Sequence, residues 1–160
     1  MIFIGIDNGV SGSIGIITPY DVSYIKIPVK KELNYTKTKK WLNRIDTEEL
    51  YNMLHPNETE YIKVYIERPM VNPGRFQATA SALRALEATL IVLEKLKYPY
   101  KYLDSKEWQK EFLPKELKGE ELKEASLQIG KRMFPKVDLK GFKDADGLLI
   151  AAYAQLKETK

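Results

Sequence analysis

The chain has 160 residues, of which 44% are hydrophobic and 30% charged, a composition that suits one globular domain with a full apolar core. It contains no cysteine, which excludes zinc ribbons, thiolate nucleophiles and disulfide frameworks. The formal charge of +4 is compatible with an anionic partner but does not identify one, since many soluble proteins are this basic. We therefore expect a single domain over residues 1–160 whose chemistry depends on oxygen and nitrogen groups.

The first thirty residues predict three antiparallel strands. Runs rich in isoleucine and valine at Ile2–Asp7, Ser13–Ile17 and Ser23–Val29 are separated by glycines and by a turn at Pro19-Tyr20-Asp21. No basic leader and no long apolar run precede or interrupt these segments, so we expect neither export nor a membrane anchor.

Residues 30–44 are polar and lysine-rich and lack a clear period, which predicts a mobile connection. Within this segment, Lys37, Lys39 and Lys40 stand next to Trp41. Charge beside an aromatic ring suits contact with a DNA arm, but a solvated lysine-rich surface has the same composition.

The rest of the chain alternates between predicted helices and strands. A helix capped by Asp46 or Thr47 should end near His55-Pro56-Asn57, and Tyr61–Glu67 alternates apolar and polar residues as a half-buried strand does. The later elements are a helix Arg75–Lys97 opened by Pro73-Gly74, a strand Tyr100–Leu103, and helices Ser105–Phe112, Gly119–Phe134 and Asp144–Lys157. This order predicts an α/β fold with a mixed five-stranded sheet, three antiparallel strands followed by parallel ones, flanked by helices.

Three acids stand at positions where removing a carboxylate from water costs free energy. Asp7 and Glu67 each end an apolar strand, and Asp146 continues the apolar stripe of the last helix. A turn aspartate at Asp7, or a surface ion pair between Glu67 and Arg68, would explain two of them without a site. If the first and fourth strands are neighbours, however, the three acids converge, and such a cluster favours hard divalent cations.

Four segments, in order and spanning nearly the whole chain, resemble the RuvC family of Holliday junction resolvases within the RNase H-like superfamily. They are Ile4-Gly5-Ile6-Asp7-Asn8-Gly9 with Gly12, Tyr65-Ile66-Glu67, Gln77-Ala78-Thr79-Ala80-Ser81-Ala82-Leu83, and Asp144-Ala145-Asp146-Gly147-Leu148-Leu149-Ile150-Ala151. The resemblance implies an RNase H-like fold and a structure-selective endonuclease that cleaves four-way and related branched DNA. It also implies two Mg²⁺ ions per active site, with Mn²⁺ as a substitute, and products with 5′-phosphate and 3′-hydroxyl ends.

By resemblance, Asp7, Glu67 and Asp146 fall on three of the family's catalytic, metal-binding acids. The family usually has an acid or histidine three residues before the last aspartate, where this chain has Lys143, with Asp144 one residue later. We favour Asp144 as the fourth metal-binding and catalytic acid, provided that it precedes the first helical turn, where it would alternatively serve as the helix cap. Lys143 then remains a candidate phosphate or proton-transfer partner.

Further residues match DNA-contacting positions of the family. Met70 stands where the family has a bulky residue that intrudes on the bases, and Phe76 is the next candidate. Lys110 and Lys123 match, more loosely, basic residues beside the scissile phosphate, in segments leading into predicted helices. Loop packing and a solvated lysine face are the corresponding simple alternatives.

The predicted helix 75–97 is apolar around more of its circumference than a one-sided surface helix requires. It is either buried between other helices or part of a two-fold interface, as in the family, and we expect a homodimer through it. Two symmetric sites suit a four-way junction. Family members occur in bacteria, mitochondria, large DNA viruses and phages, and we expect a cytoplasmic protein of a bacterial or phage-infected cell, without membrane or small-molecule cofactor.

Other functions stay open on the sequence alone. One is an RNase H-like nuclease acting on RNA:DNA hybrids or forks, and another is a weakly catalytic junction-binding protein, to which the displaced acid at Asp144 points. An actin-like nucleotide binder would require a second phosphate-binding hairpin, which the sequence does not contain.

Overall fold

The computed structural model describes residues 1–55 and 61–159, and five strands in this part of the chain form one mixed sheet. The elements are β1 Ile2–Asp7, β2 Ser13–Ile17, β3 Val22–Lys26, β4 Val29–Leu33, β5 Trp41–Ile45, α1 Thr47–Leu54, β6 Ile62–Glu67, a 3₁₀ turn Pro73–Arg75, α2 Phe76–Lys95, β7 Tyr100–Leu103, α3 Ser105–Phe112, α4 Gly119–Met133 and α5 Asp146–Glu158. The sheet order is β3-β2-β1-β6-β7, antiparallel across the first three strands and parallel across the last three. Apolar residues of α1 and α2 cover one face, and those of α3, α4 and α5 cover the other. The predicted sheet is confirmed.

Most predicted boundaries agree with the structure. The cap of α1 is Asp46, whose side chain accepts a hydrogen bond from the backbone of the first helical turn. This helix ends at Leu54 with His55 as its C-cap, whereas Pro56 and Asn57, where its end was also expected, lie outside the described residues. Other bounds shift by one to three residues: β3 ends at Lys26 instead of Val29, β6 begins at Ile62, α2 covers Phe76–Lys95, α4 ends at Met133 and α5 covers Asp146–Glu158.

The mobile connection predicted over residues 30–44 was wrong, because this segment forms an antiparallel hairpin. Strands β4 and β5 pair with each other, Val29 opposite Ile45 and Leu33 opposite Trp41, as a two-stranded sheet apart from the main one. Both faces of this hairpin are largely exposed, so polar residues occupy both faces. The alternation of apolar and polar residues that indicates a strand is therefore missing.

Helix α5 lies unusually close to strands β1 and β2, because glycines stand where the backbones meet. A Cβ atom added at Gly5 would lie 2.1 Å from the backbone nitrogen of Ala151, and one at Gly15 only 2.4 Å from the Cα of Leu148. On the helix side, a Cβ at Gly147 would lie 2.6 Å from the backbone oxygen of Ser13. Side chains at these glycines would push the helix away, so the glycines set how near the first turn of α5 comes to the end of β1.

Helix α2 packs only one side against the sheet. Ala85, Thr89, Val92 and Leu93 are buried, and three of them belong to the core beneath the sheet. The segment Pro73–Lys95 is long and apolar enough to cross a membrane when judged by length and composition alone, yet only 22% of its most apolar stretch is buried within the protein. Within residues 1–55 and 61–159, an apolar surface of this helix therefore remains uncovered.

Candidate metal centre

The ends of strands β1 and β6 bring two acids to the same edge of the sheet. The two strands pair in parallel, with Ile6 opposite Ile66, so the next residues, Asp7 and Glu67, stand side by side. Strand pleating turns both toward the face covered by α5, since Gly5, two residues before Asp7, contacts that helix. Ordinary parallel pairing of β1 and β6 thus brings Asp7 and Glu67 together, as the sequence led us to expect.

Two further acids come from the start of α5. Asp146 is the first helical residue, and Asp144 lies in the loop before it, which is the condition under which Asp144 shares the site. One carboxylate oxygen from each of Asp7, Asp144 and Asp146 lies within 4.8 Å of the others. Glu67 is outside this closest set, although its charge acts on both Asp7 and Asp146.

Burial and repulsion between the acids disfavour the charged forms of Asp7, Glu67 and Asp146. Desolvation raises the pKa of Asp7 well above its ordinary value, and the charges of Glu67, Asp146 and Asp144 raise it further. Desolvation, followed by the charge of Asp144, raises the pKa of Asp146 to about 7. The pKa of Glu67 is raised mainly by burial. Without a bound cation, the fully ionised cluster would therefore carry more negative charge than its surroundings stabilise.

Polar side chains of neighbouring helices hold the acids in place. The indole nitrogen of the buried Trp108 donates a hydrogen bond to Glu67 Oε2 at 2.6 Å. The hydroxyl of Ser126, which is also buried, donates to Asp146 Oδ1 at 2.5 Å and accepts from the backbone N–H of Ala145 at 3.1 Å. Such partners fix the orientation of metal-binding side chains in other proteins.

The sequence analysis missed both of these residues. A tryptophan on the apolar side of a largely charged helix indicates only a core residue, so Trp108 gave no separate signal. Ser126 gave a weak one, because it interrupts the buried stripe of α4 next to Leu127.

A second set of contacts surrounds Asp144. The hydroxyl of Tyr24 lies 2.8 Å from Ser13 Oγ and 3.2 Å from Asp144 Oδ1. The hydroxyl of Ser13 in turn accepts a hydrogen bond from the backbone N–H of Gly147 at 3.3 Å. The cap position of α5 is taken by Ala145, so Asp144 is not the helix cap that the sequence left open, although the N–H of Asp146 approaches its Oδ1 at 3.4 Å.

An open pocket of about 570 Å³ adjoins the acids and includes Asp144 in its wall. Lys123 and Lys143 also line it, and the charge of Lys123 lowers the pKa values of Asp7 and Asp146 against the larger effects that raise them. The structure therefore places both lysines beside the acids. Lys110, by contrast, is exposed in the last turn of α3 rather than in a segment leading into a helix, and it does not line this pocket.

The loop after β6 presents the two apolar residues that the resemblance singled out. Met70 is 83% exposed and Phe76 is 75% exposed, so the simple alternative of loop packing was wrong for both. The loop is nevertheless tied to α2, because Thr79 Oγ1 bonds both the N–H and the carbonyl of Asn72, at 3.0 and 2.9 Å. Two apolar side chains are thus held in solvent, Met70 on the anchored loop and Phe76 at the start of α2.

The donor set suits a hard divalent cation. Within the described residues, the group close enough to share an ion consists of three aspartates and contains neither histidine nor cysteine. Carboxylate oxygens are the ligands that Mg²⁺ and Mn²⁺ prefer, and a bound cation would relieve the repulsion that raises the pKa values.

We predict that the metal-free protein loses stability as pH rises from about 4 to 7. The folded state keeps a proton on Asp146 at pH values where an unfolded aspartate, with a pKa near 3.8, has lost it. The contribution of this proton to the free energy of unfolding is fully present below about pH 4 and is lost as pH rises through the folded pKa of about 7. Its size is roughly 1.4 kcal/mol for each unit by which the folded pKa exceeds the unfolded one. Urea unfolding in chelator at several pH values measures it.

The comparison variant is Asp146→Asn, which keeps the bond from Ser126 but does not titrate. Its stability relative to the native chain should increase between pH 4 and 7, and Mg²⁺ at pH 8 should stabilise the native chain more than the variant. Asp138→Asn, at an exposed aspartate away from the acids, is the control. Parallel pH curves for native chain and Asp146→Asn would contradict the prediction.

Comparison with known proteins gives a fold match but no sequence match. Neither protein-family models nor curated protein sequences match the chain. Among solved structures, the chain is similar to Thermus thermophilus RuvC in complex with a Holliday junction substrate, with a TM-score of 0.61 and 15% identity over 98% of this chain and 96% of that one. Another Thermus thermophilus RuvC structure gives a TM-score of 0.56 and 14% identity over 98% and 97% of the two chains. The chain therefore has the RNase H-like fold of the RuvC resolvases.

Proposed function

We propose that this protein is a divalent-metal-dependent endonuclease that cleaves four-way and related branched DNA. The observation that carries the proposal is the convergence of Asp7, Asp144 and Asp146, with Glu67 beside them, at the edge of a RuvC-type sheet. One of the similar structures is a RuvC bound to a Holliday junction, which supports branched DNA as the substrate.

In the proposed reaction, the four acids bind the metal ions and two further residues orient the acids. Two Mg²⁺ ions held by Asp7, Glu67, Asp144 and Asp146 would activate the attacking water and stabilise the leaving oxygen. Trp108 and Ser126 keep two of these carboxylates oriented.

Basic residues then attract the substrate. Lys123 and Lys143 line the adjoining pocket and favour the approach of a phosphate to an otherwise negative site. In this proposal Met70 and Phe76 contact bases that are unstacked at a branch point, and their exposure to solvent supports that role. Lys110 has no support as a contact at the scissile phosphate.

The arrangement favours catalysis over simple junction binding. Asp144 was the only residue whose position suggested a weakened active site, and its carboxylate lies with those of Asp7 and Asp146.

Replacing Asp7 tests this proposal. Asp7→Asn removes a charge from the metal site but keeps the side-chain shape, so junction binding should persist. Losing a partner of a metal ligand typically costs 10- to 100-fold, so losing a ligand should slow cleavage by at least about 100-fold. Single-turnover cleavage of a labelled four-way junction measures this, with linear duplex, fork and RNA:DNA hybrid as parallel substrates.

Asp21→Asn, at the exposed turn between β2 and β3, is the matched control and should cleave normally. Native cleavage by Asp7→Asn would refute the metal-site assignment. Preference for the RNA:DNA hybrid over the junction would keep the nuclease but refute the substrate.

We further propose that the protein acts as a homodimer through α2. Its outward side carries Leu83, 43% exposed, and Ile91, 53% exposed, eight residues apart and therefore on one side of the helix. A two-fold pair of such helices would bury this surface and would give two sites with the symmetry of a four-way junction.

The double variant Leu83→Glu/Ile91→Glu should be monomeric at micromolar concentration, because charge would be buried at the interface. Sedimentation equilibrium measures the mass, and the native chain should sediment near twice 18.5 kDa. The control Tyr20→Glu/Met133→Glu alters exposed apolar residues beside the end of α4, on the face of the sheet opposite α2, and should remain dimeric. A monomeric native chain, or a dimeric double variant, would rule out this interface.

A further inference from the structure

The positive charge of the protein is concentrated in the β4–β5 hairpin. Residues 29–45 contain six lysine or arginine residues and one glutamate, which gives them a formal charge of +5. The whole chain carries +4, so the remaining residues together sum to −1. A segment of 17 residues therefore accounts for the basic character of the chain.

The two faces of the hairpin differ. On one face, Lys30 and Arg44 form ion pairs with Glu32, at 3.3 and 2.6 Å. The other face carries Lys31, Leu33, Trp41 and Asn43, as the strand register requires. Within the hairpin, the single acid is thus neutralised on one side, and the other side combines an unopposed lysine with an exposed indole ring.

Trp41 is available for contact. It is 69% exposed and lines a shallow depression together with Lys31, Leu42 and Asn43. A tryptophan kept this far in solvent loses the apolar burial that normally stabilises it, whereas stacking on a nucleotide base is worth about 1–3 kcal/mol.

The hairpin is an ordered arm rather than a loose loop. At its base, Ile27 and Ile45 are buried in the core, and the N–H of Asp46 bonds the carbonyl of Pro28 at 2.9 Å. At its tip, Asn34 Oδ1 accepts bonds from Thr36 Oγ1 and the N–H of Lys40. The backbone that carries the tip lysines is therefore held in a defined place, which reduces the entropy lost on binding.

The arm starts at the rim of the candidate active site. Val29, the first residue of β4, lines the same pocket as Asp144, Lys123 and Lys143. Five residues at about 3.3 Å each extend the strand by roughly 15 Å, which corresponds to four or five base pairs along a duplex.

We propose that hairpin 29–45 is a second DNA-binding element, outside the acidic site, which holds substrate DNA by its backbone. Lys37, Lys39 and Lys40 contact phosphates of one arm, and the ring of Trp41 stacks on a base or sugar exposed beside it. The inference rests on the proposed function for its choice of DNA as the polyanion. Charge complementarity and an exposed aromatic ring on one face are its independent support.

The charge is tested by Lys37→Gln/Lys39→Gln/Lys40→Gln. Binding of a fluorescent four-way junction is measured by anisotropy in chelator, where no cleavage occurs, at several salt concentrations. The slope of log affinity against log salt is negative, and each lost phosphate contact makes it less steep by roughly 0.9, so its magnitude should decrease by about 2 to 3. The single-turnover cleavage rate at saturating protein should change less than threefold.

The control Lys131→Gln/Arg132→Gln/Lys136→Gln removes the same charge from the far end of α4 and the loop after it, and should leave the salt slope within 1 of the native value. The ring is tested separately by acrylamide quenching of tryptophan fluorescence. The chain has two tryptophans, and Trp108 is fully buried, so the quenchable signal comes from Trp41. Junction DNA should protect this signal, and Trp41→Phe, which keeps an aromatic ring, should bind more tightly than Trp41→Ala.

The outcomes separate this inference from the proposed function. If the native chain binds the junction, but the triple variant has the native salt slope or DNA leaves Trp41 fully quenchable, the hairpin proposal is overturned and the nuclease stands. If the native chain binds no DNA, both fall. Reduced binding with a native-like rate at saturation supports the proposal.

Discussion

The close contact between helix α5 and strands β1 and β2 is the constraint on which the candidate site depends. Glycines at the crossing let the helix backbone lie directly on the sheet, and this brings Asp146 and the preceding Asp144 next to Asp7. With ordinary side chains at Gly5 or Gly15 the helix would stand farther off. The acids would then be separate and better hydrated, and the pKa values of Asp7 and Asp146 would lie nearer the ordinary range.

That packing brings carboxylates close enough to repel one another, and a bound divalent cation would offset the repulsion. The acids are half-buried and repel one another, yet Trp108 fixes Glu67 and Ser126 fixes Asp146, so these two carboxylates cannot turn freely away. Stability and metal binding are therefore opposed in the empty protein, as is common where function requires a preorganised charged site. The clustered carboxylates that lower the stability of the protein without a cation are also the ligands that a divalent cation prefers.

The sequence predicted the sheet because it depends on local pattern, and the same pattern singled out the acids that the structure brings together. Apolar strands that stop at Asp7 and Glu67, and a helical stripe that includes Asp146, reveal the site before any packing is known. The partners Trp108 and Ser126 depend on how α3 and α4 dock, which no local pattern specifies. The β4–β5 hairpin was missed for a related reason, since an exposed two-stranded ribbon needs no apolar face.

A cluster of acids lies beside a strongly positive hairpin, and their opposite charges suit different parts of one substrate complex. The central proposal is that the aspartates bind divalent cations together. Anomalous diffraction from crystals grown with Mn²⁺ tests that claim most directly. The account predicts strong peaks coordinated by oxygens of Asp7, Asp144 and Asp146. Mn²⁺ peaks confined to surface acids, with none between these three aspartates, would contradict it.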